Sequence, residues 1–332
     1  MEYRLSSILP GVALLVGIGA SARLIADVTG LNHLILAIVL GMAIVNLHGV
    51  PAWAERGLRT HKLWLETGIV LMGARISLDS VLGAGPRLLL VVVAVVTFTL
   101  LLVETLSRTI FDMEGPICSL LACGLSICGV SAVVAVAGSI RADENQIAYA
   151  VATVLLFDAV TLFVYPSLGV LLGLPDMVYG IWAGVSMLST GPVAAAGFAY
   201  SDVAGQWATL TKLTRNMLIG VAVIGYSVYH TRQSAAGTGL GNSLRCLWQS
   251  FPKFILGFVA VMVAASVGLL SSQQVTSMTN AYRWLFLVAF AGLGLNIQVD
   301  EMREAGLKPV GVAVASLVTV SVLALAMVTV LF

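Results

Sequence analysis

The sequence predicts an all-α polytopic membrane protein with nine to eleven transmembrane segments, and three observations carry that prediction. The chain of 332 residues is 59% hydrophobic and only 10% charged, whereas soluble domains carry roughly 25% charged residues. Apolar stretches near the length of about 20 residues that a bilayer core demands recur along the chain, near 9–26, 31–49, 63–80, 86–107, 146–173, 206–229, 251–270, 282–299 and 309–332. Two further apolar segments, near 114–140 and 177–200, are interrupted by small polar residues. They either cross the membrane or are re-entrant, which gives eleven or nine crossings.

The first segment follows Met1-Glu2-Tyr3-Arg4 and has signal-peptide character, with small residues around Ala20 to Ala22. So many spans follow that it reads as an uncleaved first helix. Lys and Arg excess on the cytoplasmic side sets orientation. With the N-terminus inside, the inner face collects Arg4, Arg56, Arg59, Lys62, Arg108, Arg232, Arg245, Lys253, Arg303 and Lys308, against Arg23, Arg87 and Arg283 outside. Arg141 joins the inner set only if segment 114–140 is re-entrant. The chain therefore divides into an N-terminal membrane block, 1–230, a polar cytoplasmic loop, 231–250, and a C-terminal block of three spans, 251–332. The expected location is a bacterial inner membrane, and a homo-oligomer is left open.

The interrupted segments are the most informative part of the chain. Cys123 to Ala150 and Ala183 to Leu210 align without a gap, sixty residues apart, matching Gly124 to Gly184, Ser126 to Ser186, Val133 to Val193 and Gln146 to Gln206. Each has an apolar approach, a small polar tip and an Ala/Val-rich exit. Backbone unwinds in a bilayer only where protein or a watery cavity surrounds it, and paired broken helices form the substrate site of transporters. The same composition also suits close helix packing. A second similarity aligns Met72 to Asp79 with Leu293 to Asp300, on helices of opposite crossing order, which is an inverted-repeat pattern.

Ionisable residues at membrane depth are functional candidates. Lys212 and Arg215 are three apart and share a helix face; Asp158 is central in its span, and Arg75 lies about two thirds along another. Asp158 could neutralise a cation as a structural pair. Three cations against one anion leave positive charge that an anionic ligand would cancel. The hydroxyls and backbone N–H groups of Ser126, Cys128, Gly129, Ser131, Ser186, Ser189, Thr190 and Gly191 would complete an anion site with Lys212 and Arg215, half-helix N-termini favouring anions. Asp158, Arg75 and Asn296 are the candidates for a counter-ion or for ion coupling. Cys118, Cys123, Cys128 and Cys246 form no Cys-x-x-Cys pair and have no His at metal spacing, so no metal or cofactor is expected.

The run Leu36 to Asn46, Gly68 to Leu78, the tip Gly124 to Gly129, Ala196 to Ser201, Thr211 to Arg215 and the closing Ala305 to Pro309 together resemble the bacterial sulfate exporter family over nearly the whole chain. That resemblance implies a fold related to the cation/proton antiporter and bile-acid transporter group, with inverted repeats and broken helices. The chain departs from the family pattern at Val130, at Leu188 and Ser189 where a His and an acidic residue are commoner, at Pro192, and at Asp158. Its second tip is thus less polar, with a carboxylate nearby.

The expected function is secondary active export or exchange of a small inorganic or sulfur-containing anion such as sulfate or sulfite. A proton- or sodium-coupled carrier of an organic anion, with H+ or Na+ on Asp158, is the alternative within transport, and a passive anion channel or a membrane enzyme stands outside it. No His or carboxylate spacing suggests a catalytic dyad, no phosphate-binding glycine motif is present, and near-neutral charge offers no nucleic-acid surface.

Overall fold

The computed structural model describes residues 7–140, 142–233, 252–303 and 305–332, and every regular element among them is helical. The connection expected at 231–250 lies almost wholly outside the described residues, as does Arg141. Helix boundaries follow local chemistry. Leu9–Thr29 (α1) stops at Gly30, which takes a left-handed φ of 72°. Asn32 opens His33–His48 (α2) by accepting from the N–H groups of Leu34 at 2.8 Å and Ile35 at 3.4 Å. A single turn, Glu55–Leu58 (α3), precedes His61–Met72 (α4), and Leu78–Thr105 (α5) follows. The later helices are Pro116–Cys123 (α6), Val130–Ile140 (α7), Glu144–Leu171 (α8), Asp176–Ser186 (α9), Thr190–Tyr200 (α10), Asp202–Asn216 (α11), Ile219–Gln233 (α12), Phe254–Ser266 (α13), Ser272–Leu295 (α14), Val299–Arg303 (α15) and Leu307–Leu331 (α16).

Among the described residues, four helices are long and apolar enough to cross a bilayer, at Leu9–Thr29, Leu78–Ile110, Glu144–Leu171 and Leu307–Leu331. The shortfall against nine or more segments has a visible cause: several apolar runs of spanning length are divided. The run near 63–80 breaks after Met72 into a tight turn at Gly73–Arg75 and an extended Ile76, and helix resumes at Leu78. The run near 206–229 breaks between Asn216 and Ile219. Near 282–299, α14 ends at Leu295 and helix resumes at Val299, the residue that aligns with Leu78.

The chain forms two compact units, Met1–Gly85 with Lys253–Val299, and Pro86–Pro252 with Asp300–Phe332. Each unit thus draws on both sides of the 231–250 connection. In the first, α2 and α14 approach to backbone contact: a side chain on Gly41 would meet the Ala291 carbonyl, and one on Gly294 the Ile38 carbonyl. Asn46 secures the same pair by donating to the Ile297 carbonyl at 2.7 Å and accepting from the Val299 N–H at 2.9 Å.

In the second unit α8 is the axis. A capping box between Asp143 and Gln146 starts it, and at 28 residues it is about 42 Å long. The two interrupted segments are hairpins. Tyr179 near the start of α9 stacks on Tyr200 at the end of α10, ring centroids 3.9 Å apart, and its hydroxyl donates to the Ala196 carbonyl at 3.3 Å. A helix that continued straight through its break would hold these residues far apart. In the first hairpin the chain likewise folds back, Gly124 lying against Val133. The α6–α7 hairpin leads directly into the start of α8 and the α9–α10 hairpin follows its end. The two tips therefore approach from opposite ends of one long helix.

Candidate functional site

The sixty-residue offset seen in the sequence reappears in the elements: α7 spans Val130–Ile140 and α10 spans Thr190–Tyr200. Before each lies a break. At the first, helix widens to a π-turn over Gly124–Cys128 and then reverses at Gly129, with φ 68°. At the second, Met187 is extended, with φ −72° and ψ 159°, as is Ser189, with φ −100° and ψ 153°. The two tips touch, since a methyl group added at Gly129 would overlap the Ser189 hydroxyl.

Each break exposes backbone groups that an intact helix would satisfy, and charged side chains take them up. Arg215 is 1% exposed. Its Nε donates to the Ser126 carbonyl at 2.6 Å, Nη2 to Leu125 at 2.8 Å, and Nη1 to Val185 at 2.8 Å and Met187 at 2.6 Å. Lys212, 0% exposed, donates to the Ile127 carbonyl at 2.7 Å and to Met187 at 3.2 Å. The two cations therefore clamp the C-terminal ends of α6 and α9, the negative ends of both half-helices. On the other side, Asp158 Oδ1 accepts from the Ser189 N–H at 2.9 Å, at the positive start of α10. No ion pair under 4.0 Å joins Asp158 to either cation among the described residues.

The sequence-named residues thus separate into groups. Lys212 and Arg215 do share a face, with Asn216, which sequence reasoning passed over; its Nδ2 donates to the Thr190 hydroxyl at 3.1 Å. The signal was there, because Asn216 is four residues beyond Lys212 on the same stripe. Ser126 contributes its carbonyl, while its hydroxyl turns back toward the Cys123 carbonyl at 3.5 Å. Cys128, Gly129 and Ser186 are buried, Ser189, Thr190 and Gly191 are half-buried, and Ser131 is exposed. The accessible side of the centre is hence the N-terminal side, where α7 and α10 begin. Arg75 and Asn296 belong to the other unit, each exposed at one of its helix breaks; Asn296 donates to the Gly292 carbonyl at 2.7 Å.

A family model described as "Conserved hypothetical protein 698" matches residues 10–313. A UPF0324 membrane protein of Nitratidesulfovibrio vulgaris is 32% identical over 315 residues, covering 90% of this chain and 86% of the relative. The chain belongs to this family of bacterial membrane proteins. A UPF0324 membrane protein of Agrobacterium fabrum is 32% identical over 327 residues, 96% of this chain and 92% of the relative, and one of Bacillus cereus is 31% identical over 318 residues, 94% and 91%. No solved structure matches. The names of these UPF0324 relatives state a membrane protein and no transported species, so the family is secure and the sulfate exporter label is not carried with it.

Proposed function

We propose that the protein is a secondary active transporter of a small inorganic or sulfur-containing anion in the bacterial inner membrane, with its N-terminus cytoplasmic. The observation that carries this reading is the meeting of two opposed hairpin tips at one charged centre. Broken helices at a repeat interface are where transporters bind substrate. The charges support an anion. Each half-helix end carries about half a charge. Asp158 roughly offsets the two N-termini, while Lys212 and Arg215 exceed the two C-termini by about one positive charge. A singly charged anion with Asp158 ionised, or a doubly charged one with Asp158 carrying H+ or Na+, held on the accessible side by first-turn N–H groups of α7 and α10 and by the hydroxyls of Ser131, Ser189 and Thr190, completes the balance.

Asp158 supplies a route to coupling. Ionised, it competes with the anion for the start of α10; bound to H+ or Na+, it yields that end to the substrate. Anion and coupling ion then bind with reciprocal cooperativity. The two aligned break pairs, Gly124–Gly129 with Met187–Ser189 and Gly73–Ser77 with Asn296–Gln298, suit an inverted-repeat carrier related to the antiporter group.

The test is flux into proteoliposomes of radiolabelled sulfate, sulfite and thiosulfate, with and without imposed proton or sodium gradients. The expected result is uptake driven by one gradient and lost in Gly129→Ala. Flux that is indifferent to every gradient would indicate a channel. Asp158→Asn is expected to bind anion with a flattened pH dependence and to uncouple flux; a pH profile identical to wild type would remove Asp158 from coupling.

A further inference from the structure

Away from the tips, the second unit holds a cavity of about 690 Å³ between α5 and α12, a size typical of small-molecule sites. Its walls run from Val93 to Thr109 on one side and from Leu218 to Tyr229 on the other, and Ile127 of the first tip lines it too. From Val93 to Arg108 the wall rises about 22 Å, so the space is long and narrow in proportion to its volume. The lining is mostly apolar, and its charged and phenolic groups, Glu104, Arg108, Tyr226 and Tyr229, gather at one end. There α5 passes into a π-helical turn over Leu106–Ile110, a distortion frequent at functional sites.

The hydrogen bonds at that end are lopsided. Glu104 is occupied: Oε1 accepts from the Ser119 hydroxyl at 2.7 Å, Oε2 from Arg108 Nε at 2.7 Å, and Tyr226 adds a further contact. Ser119 is itself 3.1 Å from His230 Nε2. Arg108 uses only Nε, and among the described residues neither Nη nitrogen donates a hydrogen bond. With the carboxylate saturated and the guanidinium half open, the unspent polar capacity at this end is donor and cationic. Toward the other end the lining carries no charge, and beside Val93 and Val96 only the Thr97 hydroxyl is polar.

We propose that this cavity binds an anionic single-chain amphiphile, an alkyl chain carrying a sulfonate, carboxylate or phosphate head, with the head on the Arg108 Nη groups and the chain directed toward Ile127. The site is separate from the anion centre at the tips and does not depend on it. Because Ile127 presents its carbonyl to Lys212, an occupant also braces the first tip from behind.

Native mass spectrometry of the protein released from phosphatidylcholine nanodiscs, titrated with decanesulfonate below its micelle concentration, tests this. One decanesulfonate per chain is expected, with inorganic sulfate and decyltrimethylammonium failing to displace it. Arg108→Gln should weaken binding about tenfold, the loss of one charge-assisted contact. Gly225→Leu should abolish it, since Gly225 lines the cavity and a Cβ added there meets no neighbouring atom within 4 Å; Val221→Trp, a second filling change on the same wall, guards against a folding artefact. Displacement by monoacyl phosphatidylglycerol would identify the natural head as a phosphate ester, and displacement by decanoate alone would identify a free acid; both uphold the site. Equal binding of decyltrimethylammonium, or wild-type binding in both filled variants, would overturn it.

Discussion

At the scale of single residues, Arg215 and Lys212 do different work from what a charge count suggests. Their donors go to five carbonyl oxygens at the breaks, those of Leu125, Ser126, Ile127, Val185 and Met187. Removing Arg215 strands buried acceptors, each of which is expensive without water. Arg215→Met is therefore expected to cost about 3 to 5 kcal/mol, seen as a large drop in melting temperature in detergent even without ligand. Lys212→Met, which frees two contacts, should cost less. A fully stable Arg215→Met would show that the clamp is dispensable.

Gly129 gives a second prediction at this scale. Its φ of 68° disfavours any side chain by about 1 to 2 kcal/mol, and its closeness to Ser189 adds a steric clash. Gly129→Ala should destabilise the tips and abolish flux, and adding Ser189→Gly should recover the steric part alone. Recovery of full stability in the double variant would mean that the backbone conformation is not strained.

At the scale of elements, the decisive feature is that both interrupted segments turn back. Single-cysteine variants at Glu114 and Ala142, flanking the first hairpin, should label from one membrane face, and variants at Asp176 and Asp202, flanking the second, from the other. Labelling of Glu114→Cys and Ala142→Cys from opposite faces would mean that the segment crosses. A second aromatic contact on α9 sharpens the point. Tyr165 stacks on Trp182 at 4.5 Å and hydrogen-bonds Ser321, while Trp182 Nε1 donates to the Ser321 carbonyl at 2.9 Å. Replacing Trp182 with Ala removes the stack on Tyr165 and the bond to the Ser321 carbonyl and should loosen α9 from α16 by about 3 to 5 kcal/mol.

At the scale of the whole molecule, orientation is the testable property. Within the second unit Lys308 donates to the Asp112 carbonyl at 2.9 Å and Arg87 to that of Leu331 at 3.3 Å. Hence α16 runs antiparallel to α5, with Arg108 and Lys308 at one end and Arg87 at the other. The positive-inside bias puts the Arg108 and Lys308 end in the cytoplasm. An impermeant reagent added outside should reach a cysteine at Asp176 and spare one at Glu114; the reverse pattern would invert the protein.

The sequence by itself determined the membrane class, the position of both breaks, the sixty-residue offset between them and three of the four charges it put at depth, Asp158, Lys212 and Arg215, while Arg75 is exposed. Each of these is a local property, written in apolar length, in small polar residues within an apolar run, or in an ionisable side chain at depth. Only the tertiary structure decided that the interrupted segments are hairpins, because straight and folded halves have the same composition and differ only in contacts such as Tyr179 with Tyr200. It likewise decided what Lys212 and Arg215 touch. Their partners are backbone carbonyls, which every residue carries and no sequence pattern marks, so the cations looked free until the fold brought two broken helix ends to them.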